Sequence, residues 1–411
     1  MTTQVQAKFD VGGVLLDRPF KVRRLGHFGF NVRAMKASLR FYRDLLGFKV
    51  SDLSGFAARV PNAQELVGPD EDPGGYFMRY NGDHHAFVLF NRTIMDAMRG
   101  GKGADSEVDI NQITWQVGSL GEVVHAAEWL QDTGVHITRT GRDMPGSNWH
   151  TYFLDPDGHT NELYYGMEQV GWEGYSKPKP MYERRFTEKP SLPQVNEFHE
   201  VQNARAAGVD VTSGYRDTAE AEAAYDVDGV LMARPFKIVR IGPIGLFVDD
   251  LAESQHFYER TLGFVTSEAT TVNGYRGAFL RANTEHHSFA LFEKGLRAKL
   301  PVSQHSTSAY LGLQLGSYRQ LKDAISFLRA NDVRVDDDLP AELHPGSDYA
   351  AMAYDPEGRG LLLYYYMEQV GWDGQVRPQH LRRAVTLGVW PDTLEAVSDT
   401  YGGEPFLGPW A

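Results

Sequence analysis

Residues 24–32 show the clearest alternation of apolar and polar positions in the chain. Every second residue from Phe28 to Val32 is apolar, whereas His27 and Asn31 fall on the opposite face of the predicted strand. The pattern therefore predicts a strand with one face in a core and an imidazole on the other face.

The same order of elements, a strand, a helix and three more strands, is predicted twice in succession. The first module has strand 24–32, a helix near 36–46 that ends at Gly47, and strands near 48–53, 76–80 and 84–91. The second has strand 111–117, a helix from the capping box at Ser119 to Gly134, and strands near 135–140, 149–154 and 159–166.

This pair of modules recurs later in the chain. The segment 9–20 is echoed by 225–236, and Met-Glu-Gln-Val-Gly-Trp at 167–172 returns at 367–372. A repeat this long indicates duplicated domains. We therefore predict an α+β protein with two tandem domains, 9–172 and 225–372, each built from two paired βαβββ modules. A connector at 173–224 and a tail at 373–411 complete the chain.

The connector is long for a loop and contains a predicted helix near 194–206. It is either a flexible linker or a strap packed on the surface, and the sequence leaves both interpretations open.

Composition restricts the partners. The net charge of −13, from 54 acidic and 41 basic residues, argues against binding to nucleic acid or to an anionic membrane. The absence of cysteine excludes thiolate metal ligands and cysteine nucleophiles. With no signal-peptide core and no apolar run long enough to span a bilayer, we expect a cytoplasmic protein. We also expect a homo-oligomer.

Four motifs suggest a family. They are Gly-His-Phe-Gly-Phe at 26–30, Phe-Tyr followed by Leu-Gly-Phe at 41–48, His-His-Ala-Phe at 84–87, and Asp-Pro-Asp-Gly-His followed by Glu-Leu at 155–163. Together with the four modules, they resemble the vicinal oxygen chelate superfamily of glyoxalases, bleomycin resistance proteins and dioxygenases. Within it, the chain is most similar to type I extradiol ring-cleaving dioxygenases.

That resemblance implies open, U-shaped sheets around a metal held by two histidines and one glutamate. His27 and Glu162 match two of these positions. Gln112 occupies the third, because it precedes Val117 by the same spacing as His27 precedes Val32. The implied cofactor is Fe(II), with Mn(II) or another divalent metal as alternatives. Asp109 has the wrong strand parity for a reserve ligand.

The second copy lacks all three candidate ligands. Pro243, Tyr310 and Leu362 stand at the positions of His27, Gln112 and Glu162 in the alignment of the repeats. Their joint absence predicts a site in the first copy and a scaffold in the second.

The resemblance also implies roles for other side chains. His85 matches a histidine that handles oxygen or a substrate proton, and Tyr152 matches a tyrosine that hydrogen-bonds the substrate. The family's acid–base histidine should fall near Asp143, where there is none, so Asp143, Asn148 or His150 are candidate substitutes. His84 recurs with its partner in the second copy, which favours a role in the fold.

The first functional hypothesis is therefore an extradiol dioxygenase that cleaves a small aromatic diol with O2 in aromatic compound catabolism. A glyoxalase- or epimerase-like enzyme acting through an enediolate is the alternative that Gln112 fits better. A metal-free protein that binds aromatic ligands is the third. For the substrate-binding wall we predict Trp115, Trp149, Asn148 and Tyr76.

Overall fold

A computed structural model describes residues 8–101, 106–146, 148–182, 191–371, 373–382 and 390–394. It contains two eight-stranded mixed sheets, both open, together with two short hairpins. The predicted α+β fold of paired modules is confirmed.

The elements of the first half follow the predicted order. They are β1 (Phe9–Val11), β2 (Val14–Leu16), β3 (Arg24–Val32), α1 (Met35–Leu39), β4 (Lys49–Leu53), α2 (Ala63–Val67), β5 (Gly75–Arg79), β6 (Phe87–Asn91), α3 (Arg92–Met98), β7 (Ile110–Gln116), α4 (Leu120–Asp132), β8 (Ile137–Gly141), β9 (Trp149–Leu154) and β10 (Thr160–Tyr165). Helix α1 continues as a π-helical turn over Arg40–Leu45. Ser119 caps α4 by accepting a hydrogen bond from the Glu122 amide, as the capping box predicts.

The connector adds two helices, and the second half repeats the order of elements found in the first half. They contain α5 (Lys179–Tyr182), α6 (Glu197–Ala206), β11 (Tyr225–Val227), β12 (Val230–Met232), β13 (Ile238–Val248), α7 (Leu251–Phe257), β14 (Val265–Val272), β15 (Tyr275–Arg281), β16 (Phe289–Glu293), β17 (Ser308–Leu315), α8 (Tyr318–Ala330), β18 (Val335–Asp336), β19 (Ala350–Tyr354) and β20 (Gly360–Tyr364). No helix in the described ranges is both long and apolar enough to cross a membrane.

The strand order places the first strands of the two modules side by side. The first sheet runs β4-β5-β6-β3-β7-β10-β9-β8, and the second runs β14-β15-β16-β13-β17-β20-β19-β18. Strands β3 and β7 are antiparallel, with His27 opposite Thr114 and Gly29 opposite Gln112. In the second sheet Gly245 lies opposite Tyr310. The register therefore matches Gln112 with Tyr310, as the repeat alignment predicts.

The two halves share one apolar core. Trp115, on β7 of the first sheet, packs edge-on against Phe264 and Phe289 of the second half, with ring centroids 4.9 and 5.7 Å apart. The opposite face of the second sheet is filled by its own apolar cluster, which includes Tyr310 and Leu362. The opposite face of the first sheet holds the polar site described below.

Each half also inserts one loop into the other. Asp155 accepts a hydrogen bond from the Tyr258 hydroxyl over 2.7 Å. In the mirror-image contact, Asp355 accepts one from the Tyr42 hydroxyl over 3.1 Å. All four side chains are buried. The tandem halves are thus joined by a reciprocal exchange of loops as well as by the shared core.

The connector packs against the first half. Glu200 of α6 lies 3.1 Å from the Arg142 guanidinium and 3.3 Å from the Lys177 ammonium, and its side chain is only 5% exposed. In this part of its length the connector is a strap on the surface of the first half.

Candidate functional site

A buried carboxylate, Glu162, organises the polar face of the first sheet. Its Oε2 atom lies 3.0 Å from His27 Nε2 and accepts a hydrogen bond from the Thr114 hydroxyl over 3.0 Å. Its Oε1 atom accepts one from the Asn148 amide over 2.8 Å. Tyr152 lies directly opposite Glu162 on the neighbouring strand. A carboxylate has about four acceptor sites, so the three side chains that contact its oxygens fill most of them.

The strand order explains why these residues meet. Thr114 pairs with His27 on one side and with Glu162 on the other, and Tyr152 pairs with Glu162 on the next strand. Residues paired across neighbouring strands present their side chains on the same face of the sheet. The neighbouring strands β3, β7, β10 and β9 thus bring these side chains together on one face of the sheet.

The environment keeps Glu162 ionised. Burial opposes ionisation, but the charge and hydrogen bond of His27, together with His150 and Tyr152, hold the pKa of this carboxyl at about 2. A permanently charged buried carboxylate requires a cationic or hydrogen-bonding partner, and His27 supplies one.

A cavity of about 540 Å³ opens beside this cluster. Its polar wall includes His85, Gln112, Asn148 and Tyr152. Its apolar wall is formed by Phe56, Phe77, Phe90, Met95 and Met144, which belong to one small apolar cluster separate from the core. The volume lies in the range of small-molecule sites, and the mixture of apolar walls and few polar groups is typical of them.

His85 joins the cavity to the buried cluster. Its ring packs edge-on against His27, with centroids 4.5 Å apart, and its Nδ1 lies 2.9 Å from Nδ1 of His84. Burial, with His27 and His84 nearby, places the pKa of His85 well below its usual value. His286 and His287 repeat the pair in the second half, with Nδ1 atoms 3.1 Å apart. The paired geometry is therefore independent of the site.

Tyr152 and its neighbours form the far side of the cluster. Burial and the nearby Glu162 raise the pKa of Tyr152 well above its usual value, so it stays a phenol. The Arg139 guanidinium lies 4.6 Å from the centre of its ring. His150 and Asp143, predicted as catalytic substitutes, lie 3.2 Å apart and do not line the cavity. His150 Nδ1 lies 3.9 Å from Glu162 Oε1.

Three residues predicted to line the substrate pocket do not do so. Trp115 is fully buried in the core and donates its indole N–H to Asn161 over 2.9 Å. Trp149 packs into the same core, and Tyr76 donates its hydroxyl to Asp72. Their strand parity is opposite to that of the cavity-lining Gln112, Tyr152 and Phe77 respectively, so these three predictions are wrong.

Thr114 and the phenylalanine wall were not predicted. The parity of β7 offered a signal for Thr114, because it shares a face with Gln112. On β5, Phe77 and the neighbouring Tyr76 point to opposite faces of the sheet, and Phe77 is the one that lines the cavity. Phe56 precedes a 3₁₀ turn over Ala57–Arg59 and Met95 lies on α3, and neither position has a strand periodicity that would have indicated its role.

The predicted ligands fit a divalent ion. His27 Nε2 and Glu162 Oε2 lie 3.0 Å apart, so both atoms could bind one divalent ion. Gln112 lines the cavity, and its amide makes no hydrogen bond with any described residue. His27 Nδ1 is buried and likewise has no hydrogen-bond partner within the described ranges. An ion would replace the direct contact between His27 and Glu162.

These donors also indicate the kind of metal. Imidazole nitrogen with carboxylate and amide oxygens suits Fe(II), Mn(II) and similar ions better than soft, thiolate-seeking metals. Asp109, rejected as a ligand from its parity, instead forms an ion pair with Arg359 over 2.5 Å.

A second cluster with metal-ligand chemistry, Asp155, Asp157 and His159, serves the contact between the halves. His159 Nδ1 bonds Asp155 over 2.9 Å, and its Nε2 bonds the Thr307 hydroxyl over 2.9 Å. Asp157 accepts a hydrogen bond from the Ser254 hydroxyl over 2.6 Å. Protein groups from the second half thus occupy the donor atoms that a metal would need.

Comparisons with known proteins identify the family. The family model of the Glyoxalase/Bleomycin resistance protein/Dioxygenase superfamily matches residues 24–163 and 240–361. These two ranges correspond to the two sheets and cover more than half of the chain.

Two curated relatives match part of the chain at lower than 30% identity. Metapyrocatechase 2 from Cupriavidus necator is 29% identical over 137 residues, which cover 33% of this chain and 34% of that protein. The match thus spans about a third of that relative's length. Metallothiol transferase FosB from Staphylococcus saprophyticus is 25% identical over 166 residues, covering 39% of this chain and 87% of that protein.

Solved structures share the fold at low identity. The 2,3-dioxygenase LapB from Pseudomonas sp. KL28 has a TM-score of 0.54 at 17% identity, covering 87% of this chain and 97% of that one. A Mn(II)-bound glyoxalase from Novosphingobium aromaticivorans has a TM-score of 0.51 at 16% identity, covering 88% and 90%. With the family model matching both sheets, the chain belongs to the glyoxalase, bleomycin resistance protein and dioxygenase superfamily.

Proposed function

We propose that this protein is a metal-dependent oxidoreductase of the extradiol type, which opens the ring of a small aromatic diol with O2. The observation that carries the proposal is the buried contact between His27 and Glu162, next to a cavity walled by aromatic side chains. Dioxygenases among the similar proteins, including metapyrocatechase 2, support it.

His27, Glu162 and Gln112 would hold the ion, most readily Fe(II), with Mn(II) as the alternative. When bound, such an ion supplies Lewis acidity toward two adjacent hydroxyl oxygens and a path for electrons between the diol and O2. Thr114 and Asn148 hold the Glu162 carboxylate in one orientation, because each donates a hydrogen bond to one of its oxygens.

The remaining polar groups handle protons. His85 lines the cavity while its Nδ1 is engaged by His84, so Nε2 is the nitrogen left to accept the proton of a substrate hydroxyl. Tyr152 stays a phenol and lines the same wall, where its hydroxyl orients an oxygen of the bound molecule. Phe77 and Phe90, with ring centroids 5.6 Å apart, form an apolar wall against which the aromatic ring would pack.

A glyoxalase- or epimerase-like activity is the second candidate, favoured by one observation. Gln112 stands where the dioxygenases carry a second histidine, and an amide oxygen is a weaker donor to Fe(II) than imidazole. An ion held by the same residues would then polarise an enediolate, and O2 would take no part.

The test begins with metal content. Protein purified without chelator should carry about one divalent ion per chain, and His27→Ala, Glu162→Gln and Gln112→Ala should each lower that content. Gln116→Ala is the matched control, because Gln116 lies on the same strand but bonds Arg24 over 2.7 Å. Full occupancy in all three folded variants would contradict the site.

Reconstitution then separates the two activities. Anaerobic loading with Fe(II), followed by air and a panel of catechols, should give O2 uptake and a yellow ring-fission product. Metal-loaded protein that produces neither result would exclude the dioxygenase and leave the enediolate chemistry.

A further inference from the structure

The cavity of the first sheet carries positive charge on its wall. Arg99 and Arg139 both line it, and its described lining includes no aspartate or glutamate. The whole chain, by contrast, has a net charge of −13. Asp143 and Glu162 lie nearby but outside this lining, so the charged groups that face a ligand are the two guanidiniums.

Contacts with the protein hold the Arg139 guanidinium in place but leave some of its N–H donors without a partner among the described residues. Its guanidinium lies 3.3 Å from the Asp143 carboxylate and over the Tyr152 ring, and 39% of the side chain is exposed. A guanidinium has five N–H groups in a planar fork. One such ion pair leaves donors directed elsewhere, and this residue also faces the cavity.

Arg99 is the residue that follows α3, one turn after the cavity-lining Met95. Its side chain is exposed and forms no ion pair with a described residue. Because no carboxylate of the described residues pairs with it, the Arg99 guanidinium is available to a ligand in the cavity.

The second half shows that the fold does not require either arginine. Asp336 pairs with Met352 there, as Arg139 pairs with Tyr152 in the first half, so the charge is reversed. Pro301 stands at the spacing from Glu293 that Arg99 has from Asn91. Both arginines are therefore absent from the half whose corresponding face is filled with apolar side chains.

We propose that the aromatic ligand of this cavity carries a carboxylate, which Arg139 and Arg99 bind while the ring lies among the phenylalanines. The proposal rests on the proposed function for its diol and adds the anionic substituent. A planar guanidinium matches a carboxylate through two parallel hydrogen bonds, which makes an aromatic acid a better partner than a neutral diol.

Binding to metal-free protein tests the proposal without depending on turnover. Isothermal titration calorimetry should show 3,4-dihydroxybenzoate binding about tenfold more tightly than catechol, a difference of about 1.4 kcal/mol, because the guanidiniums form charge-assisted hydrogen bonds with its carboxylate. Benzoate should likewise bind more tightly than benzamide. Raising the salt concentration should reduce both preferences.

Arg139→Gln should remove most of the preference for the acids, and Arg99→Gln should reduce it severalfold. Arg319→Gln is the matched control, because it removes the same charge from an exposed position on α8. Arg99→Gln, at an exposed position, keeps the test valid if the Arg139 variant fails to fold.

Equal binding of acid and neutral ligands to the unaltered protein would overturn the proposal. So would a preference that survives in the folded double variant. A clear preference for acids, with no ring cleavage by Fe(II)-loaded protein, would support this proposal and contradict the proposed function. Ring cleavage of catechol without any preference for acids would support the proposed function and contradict the carboxylate proposal.

Discussion

Thr114 lies opposite His27 on the neighbouring strand and donates its hydroxyl to Glu162 Oε2 over 3.0 Å, the same oxygen that His27 Nε2 contacts at the same distance. One carboxylate oxygen is therefore shared by a candidate metal ligand and by a hydroxyl that no other described residue bonds. The hydroxyl fixes the carboxylate in place whether His27 bonds it directly or shares an ion with it.

Replacing this hydroxyl should weaken metal binding. Thr114→Val keeps the shape of the side chain but removes the hydrogen bond, and loss of a group that orients a ligand lowers metal affinity about 10- to 100-fold. Competition with a chelator of known affinity measures the change. Thr151→Val, at a buried threonine on β9, is the control. Equal losses in the two variants would show that the effect is not specific to the site.

The strap should stabilise the loop that supplies Asn148. Glu200 is buried against Arg142 and Lys177, so Glu200→Gln should lower the free energy of unfolding by about 3 kcal/mol. Glu197→Gln removes an exposed partner of the same lysine and should cost under about 1 kcal/mol. Urea denaturation measures both changes. Equal costs would contradict a specific role for Glu200.

The second sheet should contribute stability and no metal. Leu362→Ala removes a fully buried side chain at the position that corresponds to Glu162, and should cost about 2–5 kcal/mol without changing metal content. The exposed Leu381→Ala should cost little. A loss of metal from folded Leu362→Ala protein would contradict the division of roles between the two sheets.

The contact between the halves should depend on pH. Burial opposes the charge of both Asp155 and His159, but their attraction raises the pKa of His159 and lowers that of Asp155. The stabilisation is complete between the ordinary pKa values of 3.8 and 6.5. It is lost as pH rises through the raised pKa of His159 or falls through the lowered pKa of Asp155.

His159→Gln tests this pH dependence. The difference in free energy of unfolding between the unaltered protein and this variant should be larger at pH 5.5 than at pH 9.5. His125→Gln, at an exposed position on α4, controls for the loss of one histidine. A difference that grows toward high pH would contradict the sign derived above.

The fold could be predicted because its signals are local. The predicted bounds of β3 are those observed, since alternation along the strand and the glycine and capping signals at helix ends depend on neighbouring residues. Helices α2 and α3 were not predicted, because neither short helix has a periodic apolar face. Homo-oligomerisation stays a prediction.

The grouping of the candidate ligands could be predicted only where strand parity and repeat comparison were combined, and their binding of a metal stays a prediction. His27, Gln112 and Glu162 lie on the polar face of one sheet, and the residues at their positions in the second copy are Pro243, Tyr310 and Leu362. Trp115 was assigned to the pocket for its aromatic character, although its parity with Ile113 placed it in the core. Arg99 was not found, because tertiary packing alone brings it to the cavity.

The exchange of loops between the halves has a consequence for how the chain can be divided. Tyr258 of one half satisfies Asp155 of the other, and Tyr42 satisfies Asp355, so separating the halves would leave both fragments with buried polar groups unpaired and half of a common core exposed to water. The half that lacks the candidate ligands therefore cannot be removed without destabilising the other half. It supplies part of the common core, so we expect the two halves to unfold together.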